Sequence, residues 1–195
     1  ARVIREAHPD PVILSGGIFR PHAEKGAAYL RALLEIPGTR DAIDVLSLHC
    51  YFDKDGLEHT ERTMRLAAQV MPGTPVWITE TGTPSIGRGP HIDQEWQAKM
   101  VVGVYGSLLA LGADRVFWHT LSDPPNPEHH LRRAPFASHS LLQSAATSGP
   151  GPGAQRSDKP AGTVYRRLST YMAQVDPQSL QEIPAKDGRI LETDL

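Results

Sequence analysis

The sequence predicts an α/β protein whose strands run parallel, and three observations carry that prediction. Four short runs, from Pro11 to Gly17, Asp44 to Tyr51, Pro75 to Glu80 and Arg115 to Leu121, are rich in β-branched and aromatic residues and bounded by Pro, Gly or Asp. Such near-continuous apolar runs suit strands buried on both faces. Helical patterns fill the intervals, and a strand recurs every 30 to 40 residues. That alternation requires right-handed crossovers onto a parallel sheet.

Each helix has its own signals. The stretch from His22 to Ile36 reads as a helix closed by Pro37-Gly38. From Leu57 to Met71, apolar groups recur at Leu57, Met64, Ala67 and Met71 before Pro72-Gly73 stops the helix. Between Gln94 and Leu111 the stripe is Trp96, Met100, Val104, Leu108 and Leu111. A last helix runs from Pro160 to about Val175, with Val164, Leu168, Tyr171 and Val175 on one face and its proline where the first turn tolerates one. The segment from Ser122 to Lys159 holds most of the irregular composition, including Pro124-Pro125-Asn126-Pro127 and a Gly-Pro stretch at 148–153. We read its first half as a site loop. Residues 179–195 form a tail, with Asp187-Gly188 as the turn of a hairpin or the start of a β module.

Two architectures fit this order: a doubly wound open sheet, or part of a (β/α)8 barrel. The Ser15-Gly16-Gly17 turn is too slight to serve as a nucleotide-binding loop. The chain has 195 residues, whereas a complete (β/α)8 barrel needs about 250 and seldom fewer than about 200. A barrel reading therefore implies an incomplete barrel.

Composition excludes several functions. Lys and Arg number 20 against 22 Asp and Glu, with a net charge of −2 and no basic block, so a nucleic-acid partner is disfavoured. The longest uncharged stretch, Met100 to Ala113, spans fourteen residues and carries three glycines, short of the roughly 18 apolar residues of a membrane span. A single cysteine, Cys50, excludes an intrachain disulfide and a multi-thiolate metal site. The chain opens on Ala1 rather than Met and shows no signal peptide, so an upstream segment is expected and no compartment is indicated.

In parallel α/β folds chemistry gathers at the carboxyl ends of the strands. The second strand ends in Ser47, His49 and Tyr51 on one face, with Leu46, Leu48 and Cys50 on the other against the helices. The third ends in Glu80, which the period of two puts in phase with Val76 and Ile78. A carboxylate closing an apolar buried strand is costly unless hydrogen-bonded or functional. On the fourth strand Trp118 is in phase with Val116 and Thr120, and an indole at a site mouth is a surface on which the apolar C–H face of a pyranose stacks.

These residues carry a resemblance. Thr79-Glu80-Thr81-Gly82 after Pro75-Val-Trp-Ile, His49-Cys-Tyr51 before it and Val116-Phe-Trp118 after it resemble the last strands of clan A glycoside hydrolases. The segment from Leu141-Leu142 to Lys159-Pro160-Ala161 is similar to that clan's last loop. The resemblance runs from about Val12 to Val175. It implies a partial (β/α)8 (TIM) barrel over residues 1–178, with four parallel strands alternating with helices as strands five to eight. It also implies a retaining glycosidase acting on an oligo- or polysaccharide without a cofactor. In that reading Glu80 is the nucleophile, Tyr51 hydrogen-bonds it, His49 lines the sugar subsite and Trp118 lies under the sugar ring. Asp123 and the loop after it shape substrate access.

One departure is informative. The clan's acid/base glutamate follows an asparagine, but the single asparagine here stands in Asn126-Pro127-Glu128 and no Asn-Glu pair exists. Counting strands backwards, Ala1 to Ala7 becomes the helix after the fourth strand. The acid/base then belongs upstream, the chain is expected to be a fragment or a half-barrel that pairs with a missing N-terminal half or a second chain, and by itself it is expected to be inactive.

Two competing readings remain open at this stage. His49, Glu80, His119 and Asp123 near adjacent strand ends could make a metal-dependent barrel hydrolase. Against this, His119 is out of phase with Trp118 and no His-x-His pair occurs. A non-catalytic carbohydrate-binding half-barrel is the other. The remaining features read as structural: His129-His130 beside Arg132-Arg133 as a solvated loop, His91 and Asp93 as caps of the following helix with Asp93 as N-cap, and Cys50 as a small core residue.

Overall fold

The computed structural model describes residues 1–52, 56–86, 92–122, 138–142, 158–174, 181–185 and 188–192. The chain divides into two compact units, Ala1–Thr81 with Leu111–Phe117, and Gly82–Ala110 with Trp118–Leu195.

The first unit is built on a sheet whose spatial order β1-β2-β3-β4 follows chain order. Its elements are α1 (Arg2–Ala7), β1 (Ile18–Phe19), α2 (Glu24–Glu35), α3 (Thr39–Ala42), β2 (Leu46–Tyr51), α4 (Gly56–Val70), β3 (Val76–Gly82) and β4 (Arg115–Trp118), the last two strands ending where the second unit begins. All four strands run parallel, and the fold is that of part of a (β/α)8 barrel. β1 pairs with β2 in the register Ile18 to Leu48 and Phe19 to His49.

One face of the sheet is its core. Leu46, Leu48 and Cys50 are fully buried, as the alternation predicts, and Ile18, Val76 and Ile78 join them. Cys50 Sγ lies 3.7 Å from Thr60 Oγ1 and 3.9 Å from Thr63 Oγ1 of α4, so this face meets the helices. The other face carries Phe19, Ser47, His49, Tyr51, Trp77, Thr79, Arg115 and Phe117. Contacts define it: Phe19 and Tyr51 rings lie 6.2 Å apart, Trp77 and Phe117 rings 6.1 Å apart, and the Arg115 guanidinium sits 4.5 Å from the Trp77 ring centre. Phe19 and Phe117 are 50% and 46% exposed there. An uncovered apolar inner face is what half of a barrel presents.

The first strand departs from the sequence reading. Its predicted run, Pro11 to Gly17, makes only a bridge between Leu14 and Val45, and the paired strand starts at Ile18. Gly16 is the cause: its φ of +78° turns the chain out of the ladder. The Ser15 hydroxyl replaces the lost bonds, accepting from Ser47 N–H at 2.9 Å. Asp44 braces the same edge, its Oδ2 accepting from Ile13 N–H and its Oδ1 from the Arg5 side chain, both at 2.8 Å. The Arg5 hydrogen bond, followed by that from Ile13, holds the Asp44 carboxyl below its ordinary pKa.

The second unit contains α5 (Gln94–Ala110), α6 (Pro160–Met172) and an antiparallel pair, β5 (Gln181–Ala185) and β6 (Gly188–Glu192), with Ile183 opposite Ile190. Asp93 caps α5 through Oδ1, which accepts from Trp96 N–H at 2.8 Å, as the sequence predicts. The buried side of α5 is Gln97, Ala98, Val101, Val104, Tyr105 and Leu108, a stripe rotated from the predicted one and sharing only Val104 and Leu108 with it. Gln97 explains the rotation. Its buried Nε2 donates to the carbonyls of Thr83 at 3.0 Å, Ser138 at 3.3 Å and Ser140 at 3.3 Å. Pro160 opens α6, and Gly162 admits Leu141, whose carbonyl oxygen would stand 2.4 Å from any Cβ there. Among the described residues no helix is long and apolar enough to cross a membrane.

Candidate functional site

Three of the residues singled out from the sequence meet at the carboxyl ends of β2 and β3. The Tyr51 hydroxyl donates to Glu80 Oε2 at 2.5 Å. His49 Nδ1 stands 3.3 Å from the same oxygen. Two side chains of one strand thus converge on one carboxylate oxygen, and among the described residues nothing bonds Oε1. Glu80 keeps about a third of its side-chain surface exposed, 34%, while His49 keeps 18%. Among the described residues the carboxylate is held at one oxygen and open at the other.

The phase of Glu80 differs from the simple alternation. Ser47 Oγ and Thr79 Oγ1 are hydrogen-bonded at 2.7 Å, so Thr79 shares the face of Ser47, His49 and Tyr51. Glu80, the next residue, reaches that same set. At its end β3 no longer obeys the period of two, and a long side chain rounds the strand terminus to Tyr51 and His49.

Burial pushes the Tyr51 phenol well above its ordinary pKa of 10.0, and the hydrogen bond to Glu80 and that carboxylate's charge push it in the same direction. At neutral pH the phenol is a permanent donor.

Two residues that the sequence did not single out shape the site. Gly17 lies against the His49 ring so closely that a Cβ would stand 2.0 Å from Nε2. Phe19, at the end of β1, flanks the Tyr51 ring. The Gly16-Gly17 doublet was a visible sign of close backbone approach, whereas no pattern distinguishes Phe19.

Trp118 belongs to the second unit. Its Nε1–H donates to the His139 carbonyl at 2.7 Å, and its ring lies nearly parallel to Tyr105, with centroids 6.3 Å apart. Tyr105 in turn meets Tyr165 edge-on at 5.6 Å, and burial, then Tyr165, raises its phenol pKa. The strip 138–142 that holds Trp118 is itself anchored most densely at one atom. The Ser138 carbonyl oxygen accepts from Ser85 N–H at 3.0 Å, Ser85 Oγ at 2.9 Å, Gln97 Nε2 at 3.3 Å and the buried Lys159 Nζ at 3.4 Å. Asp123 lies outside the described residues, as do His91, Asn126, His129, His130, Arg132, Arg133 and the Gly-Pro stretch. Of the metal set considered from the sequence, His49 and Glu80 are adjacent, and no group of three His, Cys, Asp or Glu able to hold a metal ion occurs among the described residues.

No protein-family profile matches the sequence, and no curated protein matches it. Solved structures do. The chain is similar to a GH39 β-xylosidase from Caulobacter crescentus, with TM-score 0.58, 18% identity and 96% of this chain aligned to 39% of that one. It is similar to xylanase 10B from Thermotoga maritima, with TM-score 0.52, 12% identity and coverage of 88% and 50%. For a xylanase (Xyn10A) from Cellvibrio japonicus, in a thermostable mutant form, the values are 0.54, 12%, 85% and 51%. The chain thus spans about half the length, or less, of the solved chains it matches. At such identity the likeness is one of fold, the (β/α)8 barrel of glycoside hydrolases.

Proposed function

We propose that this chain carries the nucleophile half of a retaining glycoside hydrolase, with Glu80 as nucleophile. The observation that carries the reading is the asymmetry of the Glu80 carboxylate: Tyr51 and His49 converge on Oε2, and Oε1 is left open among the described residues. An oxygen so presented can attack an anomeric carbon while its partner stays anchored. Glu80 is the one acidic residue within the strands of the four-stranded sheet.

In this reading the open Glu80 oxygen forms a bond to the anomeric carbon. The glycosidic C–O bond breaks as a second carboxylic acid, about 5 to 5.5 Å away, gives its proton to the leaving oxygen. Water then attacks the glycosyl ester, losing its proton to that second carboxylate, and Glu80 departs as carboxylate. The acid/base is supplied from outside this chain, by a complementary half-barrel. Tyr51, kept protonated, holds Oε2 through both steps, and His49 fixes it from a second direction while lining the subsite. The substrate in this reading is an oligo- or polysaccharide.

A fluoride leaving group needs no acid, so the nucleophile can be tested on this chain. Incubation with 2-deoxy-2-fluoro-β-xylosyl and -glucosyl fluorides is expected to esterify Glu80, read as a mass increase on its peptide and absent from Glu80→Gln. A label on another residue, or none, overturns the assignment.

A further inference from the structure

We propose that Phe19 is the aromatic floor of a pyranose subsite beside Glu80, an inference that rests on the reading of Glu80 as nucleophile. Phe19 ends β1 at the carboxyl side of the sheet, in register with His49. Its ring lies 6.2 Å from that of Tyr51, whose hydroxyl donates to Glu80. Half of Phe19 is exposed, whereas its neighbour Ile18 is 3% exposed.

The backbone under that ring is pinned. Arg20, the next residue, has a φ of +48°, in the left-handed region that non-glycine residues rarely enter. Its N–H donates to the His49 carbonyl at 3.3 Å, and its own carbonyl accepts from Ala23 N–H at 3.0 Å. Gly26 of α2 closes against this turn, and a Cβ there would stand 2.3 Å from Arg20 O and 2.8 Å from Phe19 O. A large apolar ring, half exposed, is thereby carried on a turn that gives it little freedom to retreat. Water on such a ring is unfavourable, and the C–H face of a pyranose covers it while the sugar's hydroxyl rim remains available to polar side chains such as His49.

Phe117 provides an internal comparison. It is almost as exposed, but it packs level with Trp77, the second residue of β3, whereas Glu80 is the fifth. It belongs to the uncovered sheet face below the site.

The test uses the full chain with ring-labelled [13C]phenylalanine, its signals assigned through the variants Phe19→Ala and Phe117→Ala. The probes are methyl β-D-xylopyranoside and methyl β-D-glucopyranoside, with D-mannitol as a polyol that has no ring face. Phe19 signals are expected to shift saturably with at least one glycoside and not with mannitol, while Phe117 signals stay in place. Followed through Tyr51 signals in chain labelled instead with ring-[13C]tyrosine and assigned through Tyr51→Phe, F19A should weaken binding about ten-fold and F19W should restore it. Phe19 signals that ignore both glycosides, or that respond equally to mannitol, overturn the proposal. The fluoroglycoside reaction separates the two readings. Esterified Glu80 without a Phe19 response removes the subsite and leaves the nucleophile, and a glycoside response without esterification removes the nucleophile and leaves a sugar-binding face.

Discussion

The bare Cα of Gly17 and the imidazole edge of His49 occupy adjoining space, with no room for even a methyl group: a Cβ on Gly17 would stand 2.0 Å from Nε2. With Nδ1 at 3.3 Å from Glu80, the ring is confined on both sides. Gly17→Ala should therefore displace His49 and cost about 1–3 kcal/mol, as overpacking does. In a His49→Ala background the same change should cost nearly nothing, because the clashing ring is gone. Urea unfolding of the four proteins checks this, and equal costs in both backgrounds would refute the contact.

Tyr51→Phe removes one of the two groups on Glu80 Oε2. Its rate of esterification by the fluoroglycosides should fall about 10²-fold, the scale of one lost preorganised donor. Its fold should survive.

The raised phenol pKa of Tyr51 makes stability depend on alkaline pH. In the unfolded chain the group ionises near 10.0, whereas in the folded chain it stays protonated to higher pH. The unfolded state then binds fewer protons, so stability is complete below pH 10 and falls as the pH rises above it. Tyr51→Phe should lose stability less steeply over that range. Tyr105, raised by burial, sustains part of the decline in the variant. Urea midpoints from pH 8 to pH 11.5 test the sign, and parallel curves for the two proteins would contradict it.

Gln97 and Lys159 share the Ser138 carbonyl as acceptor. Gln97→Ala leaves three carbonyls without this buried donor and should destabilise the protein by about 2–3 kcal/mol. Lys159→Met should also be costly, and the double variant should lose less than the two separate losses together because they serve one acceptor. Strict additivity would show that the two side chains act independently.

At the amino end of α5, Asp93→Ala should cost about 1 kcal/mol, and Asp93→Ser or Asp93→Asn much less, since each retains an oxygen for Trp96 N–H. Thermal unfolding of the three variants is the measurement.

Much of this was legible in the sequence, for identifiable physical reasons. Buried strands declare themselves by composition, so the Leu46, Leu48 and Cys50 face and the helices between strands followed from period and punctuation. The meeting of His49, Tyr51 and Glu80 was reached through a family resemblance as well as through strand ends. Other features depended on geometry that no local pattern encodes. Gln97 is polar and falls outside the stripe that apolar periodicity predicts, because its acceptors arrive from Ser138 and Ser140, 41 and 43 residues away. The broken β1 ladder required knowing that Ser15 could stand in for backbone. Alternation also misjudged Glu80, since periodicity describes the interior of a ladder and fails where a long side chain turns the corner at its end.

The crowded Ser138 carbonyl also bears on how this protein could be varied. Four donors from three separate stretches of chain meet at one oxygen, and the strip they grip holds the Trp118 indole through the next residue, His139. The ring's orientation is thereby tied, through His139, to side chains that never touch the indole's N–H. A substitution at Ser85, Gln97 or Lys159 should therefore be felt at the indole from a distance, relayed by a single shared acceptor.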